Sequence, residues 1–244
     1  MAYAIQWVRS LLFVISVYVA IAVVGLGLFP WALVSRKGAR AGCMNVCRYV
    51  RWAAPWMIGL KTEIRGTPPD YACIVASKHQ SFLDVFLVFS AVPAGKFIMK
   101  SILKYAPIVG QYGLRIGCVP VDRGKRAAAI KQMVDGVKKG SATPGQLIIY
   151  PQGTRIAPGV KAPYKVGTAV LYEQLGQPCV PVAANVGLFW PKRGIYRKQG
   201  TAVVEFLEPI QPGLPRDEFL TLLETRIETA SNRLNEEAGF HAPH

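Results

Sequence analysis

The sequence predicts an α/β fold with a mostly parallel central sheet flanked by helices, preceded by an N-terminal membrane-embedded helical segment. Three observations carry this prediction. After residue 61, short apolar runs of strand length alternate with stretches of helical spacing, the pattern of strand–helix–strand units. Turn residues and charges cluster where those runs stop. Before residue 61, the 26 residues from Ser10 to Ser35 contain no charge at all. Composition changes sharply there, so two parts are expected, 1–60 and 61–244.

The charge-free stretch, as a helix rising about 1.5 Å per residue, outreaches a hydrocarbon core of roughly 30 Å. It is long enough to span or to lie deeply embedded. Trp7 and Trp31 stand near its ends as interfacial aromatics do, and Pro30 is expected to kink or end the helix. The apolar region is too long for a secretory signal, and no small-x-small cleavage site follows it. Arg9 flanks one side, whereas Arg36, Lys37, Arg40, Arg48 and Arg51 follow on the other. The positive-inside bias then puts the C-terminal part in the cytoplasm, on the inner (cytoplasmic) membrane. Over 43–60, Val46, Val50, Ala53 and Met57 recur at helical spacing beside Trp52 and Trp56, which fits either an amphipathic surface helix or a core helix.

In the second part, strands are expected at Ala72–Ser77, Val119–Val121, Gln146–Tyr150, Cys179–Ala184 and Thr201–Leu207. Helices are expected at Phe82–Ala91, Arg126–Lys139, Val166–Leu175 and about 216–237. No internal repeat interrupts the series.

Of the net charge of +15, residues 1–60 hold six bases and no acid, and 61–204 hold twenty bases against six acids. This field suits anionic partners: phosphate-bearing substrates, an acidic carrier protein or anionic lipid. The bases are interleaved with an α/β core and form no nucleic-acid motif, so no nucleic-acid partner is expected. Five scattered cysteines (Cys43, Cys47, Cys73, Cys118, Cys179) show no Cys-x-x-Cys pair, which favours a reducing, cytosol-facing location. With one histidine away from the C-terminal tail and no ligand-spaced cysteines, no metal site is expected.

That histidine is His79, opening His79-Gln80-Ser81-Phe82-Leu83-Asp84 just after an apolar strand. Five residues apart on a regular helix, His79 and Asp84 would point about 140° away from each other. They meet only if His79 sits in the turn and Asp84 alone is helical. Asp84 then fixes the ring tautomer while the other nitrogen takes a proton. Taken alone, the spacing also describes a structural histidine with Asp84 serving the helix dipole. A second strand end carries Tyr150-Pro151-Gln152-Gly153-Thr154-Arg155, whose glycine turn presents backbone N–H groups and whose Arg155 offers a fork for phosphate. A third carries Gly117-Cys118-Val119-Pro120-Val121-Asp122-Arg123.

In this order, the segments resemble the 1-acyl-sn-glycerol-3-phosphate acyltransferase family of the glycerolipid acyltransferases, over residues 61–210. The resemblance implies that His79 and Asp84 are the catalytic pair of a His-x4-Asp motif. It matches Gly117, Asp122 and Arg123 to the family's second motif, and Pro151, Gly153, Thr154 and Arg155 to its Pro-Glu-Gly-Thr-Arg motif. Val180, Pro181 and Val182 match the fourth, and Lys100 matches a basic position ahead of the second. One position departs, since Gln152 stands where the family has Glu, which bears on the acceptor.

The implied reaction moves an acyl chain from acyl-CoA or acyl carrier protein to the sn-2 hydroxyl of lysophosphatidic acid, giving phosphatidic acid. Arg123, Arg155 and Lys100 would hold the phosphate, with Gly153, Thr154 and Gln152 lining the reacting carbonyl or the acceptor. No cofactor is expected beyond the acyl co-substrate, and the partners implied are a lysophospholipid and membrane lipids. Two alternatives are acylation of another lyso-lipid, such as a lyso-aminolipid, and a non-enzymatic membrane lipid-binding protein of the same fold. Retention of His79, Asp84, Gly153 and Arg155 together argues against the second.

Overall fold

The computed structural model describes residues 1–122, 131, 133–137 and 145–241. Arg123 and most of the helix expected over Arg126–Lys139 lie outside them, although residues 133–137 are helical. Seven strands form one sheet: β1 (Leu60–Arg65), β2 (Cys73–Ser77), β3 (Lys96–Lys100), β4 (Val119–Val121), β5 (Gln146–Ile149), β6 (Cys179–Ala184) and β7 (Gly200–Phe206). Their spatial order is β1-β7-β6-β2-β5-β3-β4. All neighbours pair in parallel except β6 with β7.

The central strands are buried on both faces, which is why they read as unbroken apolar runs. Their side chains alternate between two cores. Cys73, Val75 and Ile148 join one, and Ile74, Ala76, Leu147 and Ile149 join the other. Helix α4 (Leu83–Ala91) covers the first face. On the second face lie α6 (Gly167–Leu175) and α7 (Arg216–Glu237), locked together by Tyr172 stacked on Phe219 at 3.9 Å. Phe219, Leu223, Ile227 and Leu234 keep α7's buried stripe in register.

The N-terminal segment is three helices: α1 (Ala2–Gly27), α2 (Phe29–Val34) and α3 (Arg36–Ile58). Pro30 sits in the first turn of α2, where its missing N–H costs nothing, so it opens a new helix after the break. Phe13 and Val17 of α1, and Val50, Ala53 and Ile58 of α3, belong to the same core as the sheet. Gly59 at φ 68° ends α3 in the left-handed conformation that frees the chain to enter β1.

Helix α1 is tied to the α/β part at both ends. Near its start, Gln6 Nε2 donates to the carbonyls of Ile58 and Arg197, Ser10 Oγ accepts from the Arg197 N–H, and Tyr3 stacks on Tyr196. Near its end, Tyr112 Oη donates to the Gly25 carbonyl at 2.7 Å. Tyr112 lies on α5 (Val109–Arg115). A Cβ at Gly25 would stand 2.4 Å from Ile108, so only glycine permits this approach. Between these anchors the outer face is apolar and exposed: Ile5, Val8, Leu12, Ile15, Val19, Val23 and Leu26.

Because β7 runs against β6, the β1–β7 pair is reversed relative to the rest. The N-terminal ends of β1 and β7 therefore lie at the same rim of the sheet as the C-terminal ends of β2, β5, β3 and β4.

Candidate active site

Open α/β sheets place reactive groups beyond the C-terminal ends of their strands, and His79 stands two residues past the end of β2. Lys78, buried, points to the far face of the sheet and bonds Glu228 of α7 at 2.6 and 2.7 Å. With Lys78 fixed there, the alternation of the chain turns His79 to the other side, against α4.

The turn leaves His79 outside the helix and Asp84 in the first turn of α4. His79 Nδ1 lies 2.8 Å from Asp84 Oδ1, and Asp84 Oδ2 accepts from the backbone N–H groups of Gln80 and Ser81, each at 2.8 Å. Asp84 is fully buried. Both of its oxygens are thus occupied, which holds the carboxyl group in one orientation. A carboxylate facing Nδ1 requires Nδ1 to carry the hydrogen, so the lone pair of the neutral ring is on Nε2.

An aromatic ladder supports the ring from one side. His79 stacks on Tyr150 at 3.9 Å and 20°, Tyr150 on Phe97 at 6.2 Å, and Phe97 on Phe89 at 5.8 Å. Across the rim, the Ile156 N–H donates to the His79 carbonyl at 2.8 Å, bringing the 150–156 turn against the histidine. Within that turn Gly153 adopts φ 71°, which lets the chain reverse and bonds its N–H to the Tyr150 carbonyl at 2.9 Å. Thr154 is exposed and Arg155 half-buried. Gln152 is buried, with Nε2 donating to the Ala162 carbonyl at 3.3 Å and Oε1 unpartnered among the described residues.

Two cations absent from the sequence reading sit on this turn. A Cβ at Gly153 would lie 3.0 Å from Lys165 Nζ, so the Lys165 ammonium covers the glycine, and the Lys165 N–H bonds the Pro151 carbonyl at 2.9 Å. Lys192 Nζ donates to the Arg155 carbonyl at 3.0 Å and to Thr154 Oγ1 at 3.4 Å. Neither lies inside a catalytic-looking motif, and the one available signal was the positive bias of 61–204. Lys100 ends β3, level by strand register with Lys78, one residue short of His79, and two strand spacings away, about 10 Å. It marks the outer edge of the rim and is exposed.

The arrangement offers a base with its lone pair outward, a glycine turn beside it, and several cations at one end of the sheet. That set suits deprotonation of a hydroxyl on an anionic substrate.

Comparison with known proteins gives the family. The family model described as Acyltransferase matches residues 61–185. The 1-acyl-sn-glycerol-3-phosphate acyltransferase of Pseudomonas aeruginosa is 30% identical over 208 residues, 82% of this chain and 79% of the relative. That of Saccharomyces cerevisiae is 28% identical over 214 residues, 83% of this chain and 70% of the relative. The crystal structure of the 1-acyl-sn-glycerophosphate acyltransferase PlsC from Thermotoga maritima superposes with a TM-score of 0.77 over 96% of this chain and 99% of that one, at 21% identity, so the two share the fold. With a rim histidine held by a buried carboxylate and a family match over more than half its length, this chain belongs to the acyltransferase family.

Proposed function

We propose that the chain acylates the sn-2 hydroxyl of 1-acyl-sn-glycerol-3-phosphate, using acyl-CoA or acyl carrier protein as donor and giving phosphatidic acid. The observation that carries the reading is the 2.8 Å bond from His79 to a fully buried Asp84, which leaves Nε2 basic at the rim beside the Gly153 turn. His79 Nε2 takes the proton of the acceptor hydroxyl, Asp84 stabilises the imidazolium, and the alkoxide attacks the thioester carbonyl. The Thr154 N–H, next to the Gly153 turn, serves the developing oxyanion, and the tetrahedral species collapses by expelling the thiolate. Arg155 and Lys165, with Lys100 at the outer edge, hold the phosphomonoester, and Arg123 is assigned the same role from its motif. The steps written require no metal or redox cofactor.

Among the described residues, one helix is long and apolar enough to cross a membrane, α1. Its attachment to the same domain at both ends supports a helix lying along the domain within one leaflet, with the rim of the sheet at the membrane surface. An inner-membrane location with the catalytic domain on the cytoplasmic side is supported by the six bases and no acid of residues 1–60, which suit an anionic cytoplasmic leaflet.

A second acceptor is favoured by one observation: Gln152, buried and neutral, replaces the family Glu. The test offers the purified full chain lysophosphatidate and a zwitterionic lyso-lipid in parallel, with labelled acyl-CoA and acyl carrier protein. Lysophosphatidate turning over faster supports the proposal, and faster turnover of the zwitterionic lipid replaces it. Undiminished transfer by His79→Ala removes the mechanism, and no transfer by the wild type with either donor supports a lipid-binding protein.

A further inference from the structure

Along α3, Arg48, Arg51, Trp52 and Pro55 fall at i, i+3, i+4 and i+7 and so share one face. With Lys61 and Thr62 at the start of β1, they line an open cleft of about 640 Å³. Three cations meet there and no acid does. The first Asp or Glu of the chain is Glu63, and its carboxylate is bonded to Arg65 at 2.8 Å. No ion pair among the described residues involves Arg48, Arg51 or Lys61. Arg51 has only a 3.5 Å contact to Ser90 Oγ. The fold therefore gathers three mutually repelling charges and supplies no counter-charge.

The surroundings indicate which anion fits. At about 100° per residue, Trp52 and Trp56 occupy the arc of α3 between the cleft and the side that packs on α1. Arg9 of α1 donates to the Met57 carbonyl at 2.6 Å and to that of Trp56 at 3.3 Å, so Trp56 adjoins α1 directly. The two indoles are 66% and 75% exposed, and they continue the exposed apolar face of α1. A surface that passes from aliphatic to indole to guanidinium matches the passage from acyl chain to interface to phosphate in one leaflet. A site for a soluble anion has no use for the first two.

We propose that the Arg48–Arg51–Lys61 cleft is a second anion site, which takes the phosphate of an anionic bilayer lipid and so orients the protein on an anionic leaflet. It is separate from the acceptor's phosphate site, because β1 lies three strand spacings from β2, about 14 Å. The inference rests on the one-leaflet placement of α1, and binding to neutral vesicles reports on that placement separately.

The test is vesicle flotation of the full chain on pure phosphatidylcholine and on phosphatidylcholine containing phosphatidylglycerol. Three proteins are compared: wild type, Arg48→Gln/Arg51→Gln/Lys61→Gln, and a charge-matched control, Arg216→Gln/Arg226→Gln/Arg233→Gln, on α7 across the sheet. At about 1 kcal/mol per base near the surface and 1.4 kcal/mol per decade, the cleft variant loses about 100-fold affinity for the anionic vesicles. It keeps wild-type binding to neutral ones, which also shows that it is folded. The control loses less than about threefold. Equal losses by cleft variant and control reduce the effect to net charge and overturn the site, as does wild-type binding by the cleft variant. Displacement of the wild type by inorganic phosphate at matched ionic strength reassigns the cleft to a soluble anion, which also overturns the proposal.

Discussion

Asp84→Asn isolates what the buried carboxylate does. In the wild type, Oδ2 accepts two backbone N–H bonds and Oδ1 accepts the Nδ1–H of His79. An asparagine has one acceptor oxygen and one donor group to divide between those two duties. Placing the NH₂ toward Gln80 and Ser81 sets donors against donors at two buried sites, at about 1–3 kcal/mol each. Placing it toward His79 keeps both backbone bonds and sacrifices only one interaction, so that orientation wins. Nδ1 must then accept, its hydrogen moves to Nε2, and the rim-facing nitrogen loses its lone pair. General-base catalysis contributes about 10²–10⁴-fold, and the equivalent change in a serine-protease triad costs about 10⁴ through the wrong tautomer. The expected loss in kcat is therefore about 10³–10⁴-fold, or roughly 4–5.5 kcal/mol of barrier, with KM for the acceptor little changed. Steady-state acyl transfer with labelled thioester measures it, and the ¹⁵N shifts of the His79 ring report the tautomer. A variant within tenfold of wild-type kcat, or one still protonated at Nδ1, refutes the reasoning.

Other outcomes follow from the same geometry. Lys165→Met removes the cation over Gly153, so KM for lysophosphatidate rises about tenfold or more while a neutral acceptor analogue is unaffected; equal effects on both acceptors count against a phosphate role. Burial pushes the Cys73 thiol up to about 12 and the Cys118 thiol to about 11. At pH 8 both are almost wholly protonated, so mass spectrometry after iodoacetamide should find them unmodified in the folded protein and alkylated in denaturant; fast labelling of either contradicts the packing. Single cysteines introduced by Tyr3→Cys and Phe29→Cys should react with an impermeant maleimide from the same side of sealed membrane vesicles. Labelling from opposite sides would establish a spanning helix.

Much of the architecture was legible because the central strands satisfy one simple demand, burial on both faces, and so leave unbroken apolar runs. Strand β6 and helix α7 are read at their observed limits for that reason and for the regular stripe of Phe219, Leu223 and Ile227. What escaped the reading obeys other rules. β1 has a period-two pattern, but its Lys61, Glu63 and Arg65 are the charges of an edge strand and resemble a linker. α5 contains Gly110 and Gly113, poor helix formers; Gly110 is required because a Cβ there would lie 2.3 Å from the Leu103 carbonyl oxygen. The reversal at β7 has no local signature at all. In the site, His79, Asp84 and the 150–155 turn are contiguous in sequence and stand out, whereas Lys165 and Lys192 arrive from separate segments and are ordinary lysines until the chain folds. The shared core of α1, α3 and the sheet is hidden in the same way, since an apolar helix looks alike whether it faces lipid or protein.

The stacking of His79 on Tyr150, combined with the bond to Asp84, has a consequence for proton economy. A ring flip would break the Nδ1 contact and grind the imidazole edge across the phenol, so the ring has a single working port. Whatever enters at Nε2 must leave at Nε2. In the proposed transfer, the hydrogen lifted from the acceptor hydroxyl would then pass from Nε2 to the departing thiolate, and each turnover would end with the imidazole neutral and rearmed without help from bulk solvent.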